Sequence, residues 1–372
     1  MDKYSFLNAA HTAYFADLYE QYQQDPDSVE PSWKAFFQGY DFGSEGFGAS
    51  DDIVEGVKTQ IPEQVQKEFQ VIRLIDDYRT RGHLFTKTNP VRDRRKYTPS
   101  LDLENFGLSS SDLDTVFNAG DIIGIGPQSL GVIRQHLEAI YCDAIGVEYM
   151  YIRRPNERQW IQKKLNSNDN QGNFSADEKK HILKKLNEAV SFETFLHTKY
   201  VGQKRFSLEG NESLIPAIDA LIEKAAAYGV KDFVMGMAHR GRLSTLTNIF
   251  GKSASDIFSE FDGKDYEEEV FDGDVKYHLG WTSDRLTDNG NRINLSIAPN
   301  PSHLETVGAV VEGITRAKQD KLKSEDTSMV LPIVVHGDAA IAGQGLVYEV
   351  VQMAQLEGYK TNGTIHIVVN NQ

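Results

Sequence analysis

At 372 residues, with 40% hydrophobic and 25% charged side chains, the chain has the composition of a soluble globular protein large enough for more than one domain. Its formal net charge of −15 argues against a nucleic-acid partner, which would need clustered Lys and Arg to neutralise phosphates. The single cysteine, Cys142, excludes an internal disulfide and fits a reducing compartment; no run approaches ~18 uninterrupted apolar residues, so no membrane-spanning helix is expected.

The first residues lack the basic-then-apolar pattern of a secretory signal, which makes the cytoplasm the expected compartment, or the mitochondrial matrix if a transit peptide precedes this chain. Within residues 1–40, Tyr14, Leu18 and Tyr22 share a helix face, Asp25-Pro26 breaks it, and Ser32 opens a second short helix carrying Trp33, Phe36 and Phe37. Two short amphipathic helices need a surface to cover them: either their own domain or a docking partner. Residues 41–62 are rich in Gly, Ser and acid and predict a mobile linker.

Beyond Pro62, the spacing of Val65, Phe69, Ile72, Leu74, Ile75 and Tyr78 predicts an amphipathic helix ending near Gly82, with His83 in a C-terminal cap interaction. The basic residues 92–96, flanked by Pro90 and Pro99, predict a solvated loop. From Asp102 to Asn187 the chain predicts polar helices, with caps at Ser111 and Ser175 and a loop over 166–173; Cys142 lies in an apolar run as inert core. This stretch offers no evident chemistry.

After Phe206, a Gly210-Asn211 turn leads into an amphipathic helix and then the strand Asp232–Met237, which ends in Ala-His239-Arg240-Gly-Arg242. A histidine at a strand end is commonly structural and a lone arginine commonly a surface charge; if the strands are parallel, both sit at the same sheet edge as Asp338. An acid-rich loop follows and closes on Tyr277-His278-Leu279-Gly280. A strand over 293–297 leads to Asn-Pro-Ser302-His-Leu304-Glu305 at the start of a helix over 303–318, with Ser302 as its N-cap.

The run 330–335 is short, apolar and β-branched, the pattern of a buried parallel strand. Leu346, Val347, Val350, Val351 and Ala354 then fall at helical spacing up to Gly358, and a second strand, Ile365–Val369, closes on Asn370-Asn371. In this β-α-β unit Asp338 and Asn371 emerge together at the carboxyl edge, an anionic and an amide oxygen suited to Mg²⁺ carrying a diphosphate. Ala339 and Ala340 are small enough to let backbone N–H groups approach phosphate oxygens. The alternative is that Gly-Asp is only a helix cap. A doubly wound sheet normally continues past such a strand, so the chain reads as truncated at Gln372.

Gly337-Asp338 with the closing Asn-Asn resembles the thiamine-diphosphate signature of 2-oxoacid dehydrogenases and transketolases. HGDAAIAGQG, VVNNQ, AHRGRL, YHLG, NPSHLE, VEYMYI and ERQWIQKKL are similar, more narrowly, to the E1 component of 2-oxoglutarate dehydrogenases. YRTRGHLFTKTNPV resembles a stretch of the same family, from which Phe85 and Thr86 depart. The resemblance implies an α/β thiamine-diphosphate-binding fold: a doubly wound parallel sheet, incomplete at its C-terminus, preceded by a helical region and a flexible arm. The implied division is an arm over 1–40 that docks on the E2 core, a linker over 41–62, a helical accessory region over 63–190, and the first part of the diphosphate-binding domain over 191–372. By resemblance Asp338 and Asn371 hold Mg²⁺, Ala339 and Ala340 contact the diphosphate, and Leu304 packs on thiamine diphosphate. Arg240 and Ser302 meet cofactor and substrate, Thr282 stands near the substrate, and His239 and His278 serve as catalytic groups or bind the substrate carboxylates. The implied activity is oxidative decarboxylation of 2-oxoglutarate with succinyl transfer to the lipoyl group of E2, in a homodimer working with dihydrolipoyl succinyltransferase and dihydrolipoyl dehydrogenase. Further site elements are expected beyond Gln372, so the piece alone is expected to be inactive. The alternatives are an enzyme acting on pyruvate, 2-oxoadipate or a carboligation acceptor, and a non-catalytic fragment that binds E2.

Overall fold

The computed structural model describes residues 12–29, 33–34, 36–38, 63–89, 100–262, 276–322 and 326–370. The side chain of Tyr14, Ser32, the expected linker, the basic residues 92–96, the acid-rich stretch 263–275 and the metal candidate Asn371 lie outside them. Two compact units result, Met1–Asn173 and Phe174–Gln372. The boundary lies ahead of the expected 190, because residues 176–199 form one continuous helix whose Ala189, Phe192 and Leu196 enter the core of the second unit. No helix among the described residues is long and apolar enough to cross a membrane.

In the first unit, helix α1 (Thr12–Gln24) stops where the Asp25 carboxylate accepts the Asp27 N–H at 3.0 Å, an Asx turn that Pro26 enforces. Tyr22, Val29, Trp33 and Phe37 are buried in this unit's own core, with the Trp33 ring edge-on to Phe69 at 5.5 Å. Phe69 belongs to α2 (Glu63–Arg81), whose residues Phe69, Ile72 and Ile75 recur every three positions on the buried face. Tyr22, Trp33 and Phe37 therefore have their cover within the unit.

Helix α3 (Leu130–Tyr141) starts at a Ser129 cap, and α4 (Pro155–Asn166) has proline in its first turn. The expected cap at Ser111 moves to Ser109. Residues Ser110–Asp112 make only a 3-10 turn, and the Asp112 carboxylate accepts the Ser109 N–H at 2.9 Å. Cys142 follows α3 half-buried; burial and the Glu138 carboxylate push its thiol up to about 12, so it stays protonated and unreactive near neutrality.

The second unit opens with α5 (Ala176–Lys199), capped by Ser175 with Glu178 reaching back to the Ser175 N–H at 2.7 Å. Helix α6 (Leu214–Ala227) buries Ile215, Ile218 and Ile222. A five-stranded sheet follows in the order β4-β5-β3-β6-β7, from β3 (Asp232–Met237), β4 (Trp281–Leu286), β5 (Arg292–Ile297), β6 (Val330–Gly337) and β7 (Ile365–Val369). A separate pair, β1 (Val116–Phe117) and β2 (Gln128–Ser129), lies in the first unit. Strands β5, β3, β6 and β7 are parallel, and β4 runs antiparallel at the edge.

Alternation sets the two faces. Phe233, Met235 and Met237 meet α5 and α6, while Val234 and Val334 meet Val307 and Val311 of α7 (Thr306–Lys321). Such a doubly covered, mainly parallel sheet matches the expected α/β class. After β6 the expected single helix is split into α8 (Asp338–Gly343) and α9 (Gly345–Met353) around Gln344, and it ends before Gly358. Neither piece buries a residue, and Tyr348 stays 69% exposed.

An ion cluster ties α5, α6 and β4. Asp219, 1% exposed, accepts from His181 Nε2–H at 2.7 Å and from Arg285 at 2.9 Å, with Lys185 at 3.5 Å. Burial alone pushes this carboxyl up, but His181, Lys185 and Arg285 together hold it below the usual carboxylate range. A depressed folded-state value means stability that is present above the unfolded pKa of about 3.9 and is lost as pH falls through the folded value. Asp219→Asn should therefore lower unfolding free energy by about 3 kcal/mol at pH 7. In urea titrations its gap to wild type should narrow towards pH 3; a gap that is the same at both pH values would refute the assignment.

Candidate functional site

From β3 the chain runs through β4 to β5 on one side and then crosses back to β6 on the other side of β3, so the carboxyl ends of these strands form a topological switch point, where open α/β sheets bind ligands. Three segments meet there: residues 238–242 after β3, 277–280 before β4, and 298–305 after β5. Arg242 holds them together. Its side chain is fully buried and donates to the carbonyls of Met237 at 3.1 Å, Leu279 at 2.7 Å and Ala298 at 2.7 Å. Burial lowers its pKa to about 10, which leaves the guanidinium charged at neutral pH.

Two glycines permit the close approach. Gly241 has φ 76, and a Cβ there would meet Leu208 at 2.5 Å; a Cβ on Gly280 would meet Pro299 at 2.8 Å.

Over this scaffold lies a stack of rings. His239 stacks on Phe206 at 4.8 Å and on His278 at 5.1 Å, and Tyr277 stands edge-on to all three. His278 Nε2 and Ser302 Oγ share a hydrogen bond at 3.2 Å. Burial, then the neighbouring His278 and Arg242, lower the His239 pKa, so a neutral imidazole is favoured. Its Nε2 is buried and has no hydrogen-bond partner among the described residues.

The sequence-selected residues thus fall into two groups. His239, Arg240, His278 and Ser302 gather at the ends of β3 and β5, whereas Asp338, Ala339 and Ala340 stand at the end of β6, paired with β3 through Met237 and Val335. Leu304 is half-exposed, and Thr282 lies on an outward position of β4. Ser302 is not the N-cap: α7 starts only at Thr306, and Glu305, with φ 70, takes the cap position. Ser302 therefore stays in the preceding loop, where His278 engages it. Arg242 and Phe206 were not singled out by pattern. The second arginine of AHRGR, directly behind a strand, was the available signal.

Whether these residues suit a metal-bound diphosphate can be judged from their partners. Neither the Asp338 carboxylate nor the Arg240 guanidinium makes a hydrogen bond or ion pair among the described residues, and both are only half-buried. An uncommitted anion and cation along one edge suit a metal and an anionic ligand respectively. No cluster of three or more His, Cys, Asp or Glu suited to a metal forms among the described residues. That also fits magnesium, which takes one or two protein carboxylates and completes its shell with water and phosphate oxygens.

Residues 184–372 match the dehydrogenase E1 component family, and residues 4–44 match the 2-oxoglutarate dehydrogenase N-terminus. The chain is 42% identical to the 2-oxoglutarate dehydrogenase E1 component of Azotobacter vinelandii, over 98% of this chain and 41% of the relative. It is likewise 42% identical to that of Cupriavidus necator, over 99% and 41%. A multifunctional 2-oxoglutarate metabolism enzyme of Mycolicibacterium vanbaalenii is 47% identical over 84% of this chain and 26% of its own length. The chain thus spans about two-fifths of the first two curated relatives.

The three carbonyls on Arg242 generate a test. Arg242→Lys keeps the charge but cannot bridge them, and should lower unfolding free energy by about 3 kcal/mol in urea titrations. A loss below about 0.5 kcal/mol would mean that the carbonyls are satisfied otherwise.

Proposed function

Because the chain belongs to the dehydrogenase E1 component family, we propose that it forms the diphosphate- and metal-binding side of a thiamine-diphosphate site, and part of the 2-oxoacid site, in a 2-oxoglutarate dehydrogenase E1. The observation that carries this reading is the meeting of His239, Arg240, His278 and Ser302 at the same sheet edge as an uncommitted Asp338.

When bound, thiamine diphosphate supplies the electron sink that decarboxylation of a 2-oxoacid requires. Asp338 and Asn371 are the proposed oxygen ligands of Mg²⁺, with Ala339 and Ala340 against the diphosphate and Leu304, half-exposed, against the organic part of the cofactor. Arg240 offers two parallel N–H donors to a carboxylate. His239, neutral and with a buried uncommitted Nε2, can hydrogen-bond the substrate or take a proton at that atom. His278 is oriented by Ser302 and by its stack on His239, which fixes the imidazole before substrate arrives. Two imidazoles and one guanidinium suit a dicarboxylate better than a monocarboxylate.

The proposed product is a succinyl group passed to the lipoyl arm of E2, in a homodimer assembled with dihydrolipoyl succinyltransferase and dihydrolipoyl dehydrogenase. Any docking by residues 1–40 must use surfaces other than Tyr22, Trp33 and Phe37, which are buried within their own unit.

In the full-length polypeptide, His278→Ala should cut turnover of 2-oxoglutarate by ~10²-fold or more, measured beside pyruvate and 2-oxoadipate. Unchanged turnover would sink the role of His278; a wild-type preference for either competitor would reassign the substrate. Asp338→Asn should weaken Mg²⁺-dependent binding of thiamine diphosphate in calorimetric titration, and wild-type affinity in that variant would overturn the metal assignment.

A further inference from the structure

A second polar network lies outside every role assigned above. His336 Nδ1–H donates to Glu305 Oε2 at 2.5 Å, and His336 Nε2 lies 2.8 Å from His366 Nδ1. The His336 ring thus bridges the Glu305 carboxylate and the His366 ring, and the hydrogen between the two imidazoles sits on either nitrogen according to tautomer. The two rings stack with centroids 5.1 Å apart. The Glu305 and His336 side chains are only 4% and 3% exposed, and Gly308, Glu312, Val334, Val347 and Val350 line the same small pocket.

This arrangement is costly. Glu305 holds φ 70, a left-handed conformation that costs a residue with a Cβ about 1–2 kcal/mol. Its Oε1 is buried and has no hydrogen-bond partner among the described residues. Replacing buried ionic groups by apolar residues of similar volume is often neutral or stabilising, so packing alone gives no reason for this trio. Placement does. Glu305 directly follows Leu304 and is three residues from Ser302. His336 precedes Asp338 by two residues on β6. His366 lies on β7, the strand that leads to Asn371, with Val369 paired to Gly337.

We infer that Glu305, His336 and His366 form a positioning clamp. It locks the turn before α7 and the carboxyl ends of β6 and β7 in one register, so that Asp338 and the 302–304 loop stand ready for a magnesium-bound diphosphate. The clamp touches neither metal nor cofactor and acts through the segments it ties. The inference rests on the cofactor reading above and adds three positioning residues to it.

The experiment is calorimetric titration of the cofactor-free, full-length polypeptide with thiamine diphosphate in excess Mg²⁺, together with the rise in melting temperature that saturation produces. Glu305→Gly removes the carboxylate while suiting the left-handed backbone, Glu305→Gln keeps an acceptor for His336, and His366→Asn alters the outer end. Glu305→Gly should weaken binding by ~10–100-fold, the range for residues that orient metal ligands. Glu305→Gln should lose less, because its amide oxygen still accepts from Nδ1–H, and the cofactor-induced rise in melting temperature should shrink in the same order. Wild-type affinity in a folded Glu305→Gly overturns the clamp; should that variant not fold, wild-type affinity in both Glu305→Gln and His366→Asn overturns it. A wild-type polypeptide that binds no thiamine diphosphate overturns the cofactor reading and the clamp together, whereas normal wild-type binding with unaffected variants overturns the clamp alone.

Discussion

The guanidinium of Arg242 is the constraint on which the candidate site depends. Backbone carbonyls at the end of β3, in the 277–280 turn and after β5 all converge on this one side chain. One planar fork with several donors answers all of them, which neither lysine nor an amide could do. The same contact decides where His239 and His278 stand, since each is within three residues of an anchored carbonyl or of Arg242 itself. The placement of both rings here is a by-product of solving a backbone hydrogen-bonding problem.

Charge is handled in two ways in the second unit. Around Asp219 a buried carboxylate is surrounded by His181, Lys185 and Arg285, which together hold its pKa below the usual range. Around Glu305 the carboxylate meets the His336 ring, which passes the contact on to His366. The first arrangement clamps helices to an edge strand. The second clamps loops and strand ends, where small displacements alter a ligand site. At Arg240 and Asp338 the structure compensates no charge at all among the described residues.

The central strands were legible because burial on both faces demands uninterrupted β-branched or large apolar runs, and 330–335 and 232–237 carry them. The relation of Asp338 to His239 followed from strand direction alone. The Ser302 cap was misread because nothing in a linear pattern marks Glu305 as the residue that turns left-handed, a conformation fixed by its contact with His336 from a distant strand. Arg242 went unmarked for the same reason: its partners are carbonyls, which every residue has. The split around Gln344 was invisible because the apolar spacing that marks the last helix begins only behind it, at Leu346.

The strand order has a consequence for how the protein comes into being. Strand β3 sits at the centre, yet both of its neighbours, β5 and β6, are synthesised after it, so its two hydrogen-bonding rims wait on residues that do not yet exist. Pairings over such long sequence separations carry a loop-closure penalty and form late, leaving an apolar strand open to association with other chains meanwhile. The ring stack of His239 and His278 and the opposing Asp338 can therefore come together only once β6 has inserted. The emerging polypeptide is most vulnerable while its future site is still scattered along the chain.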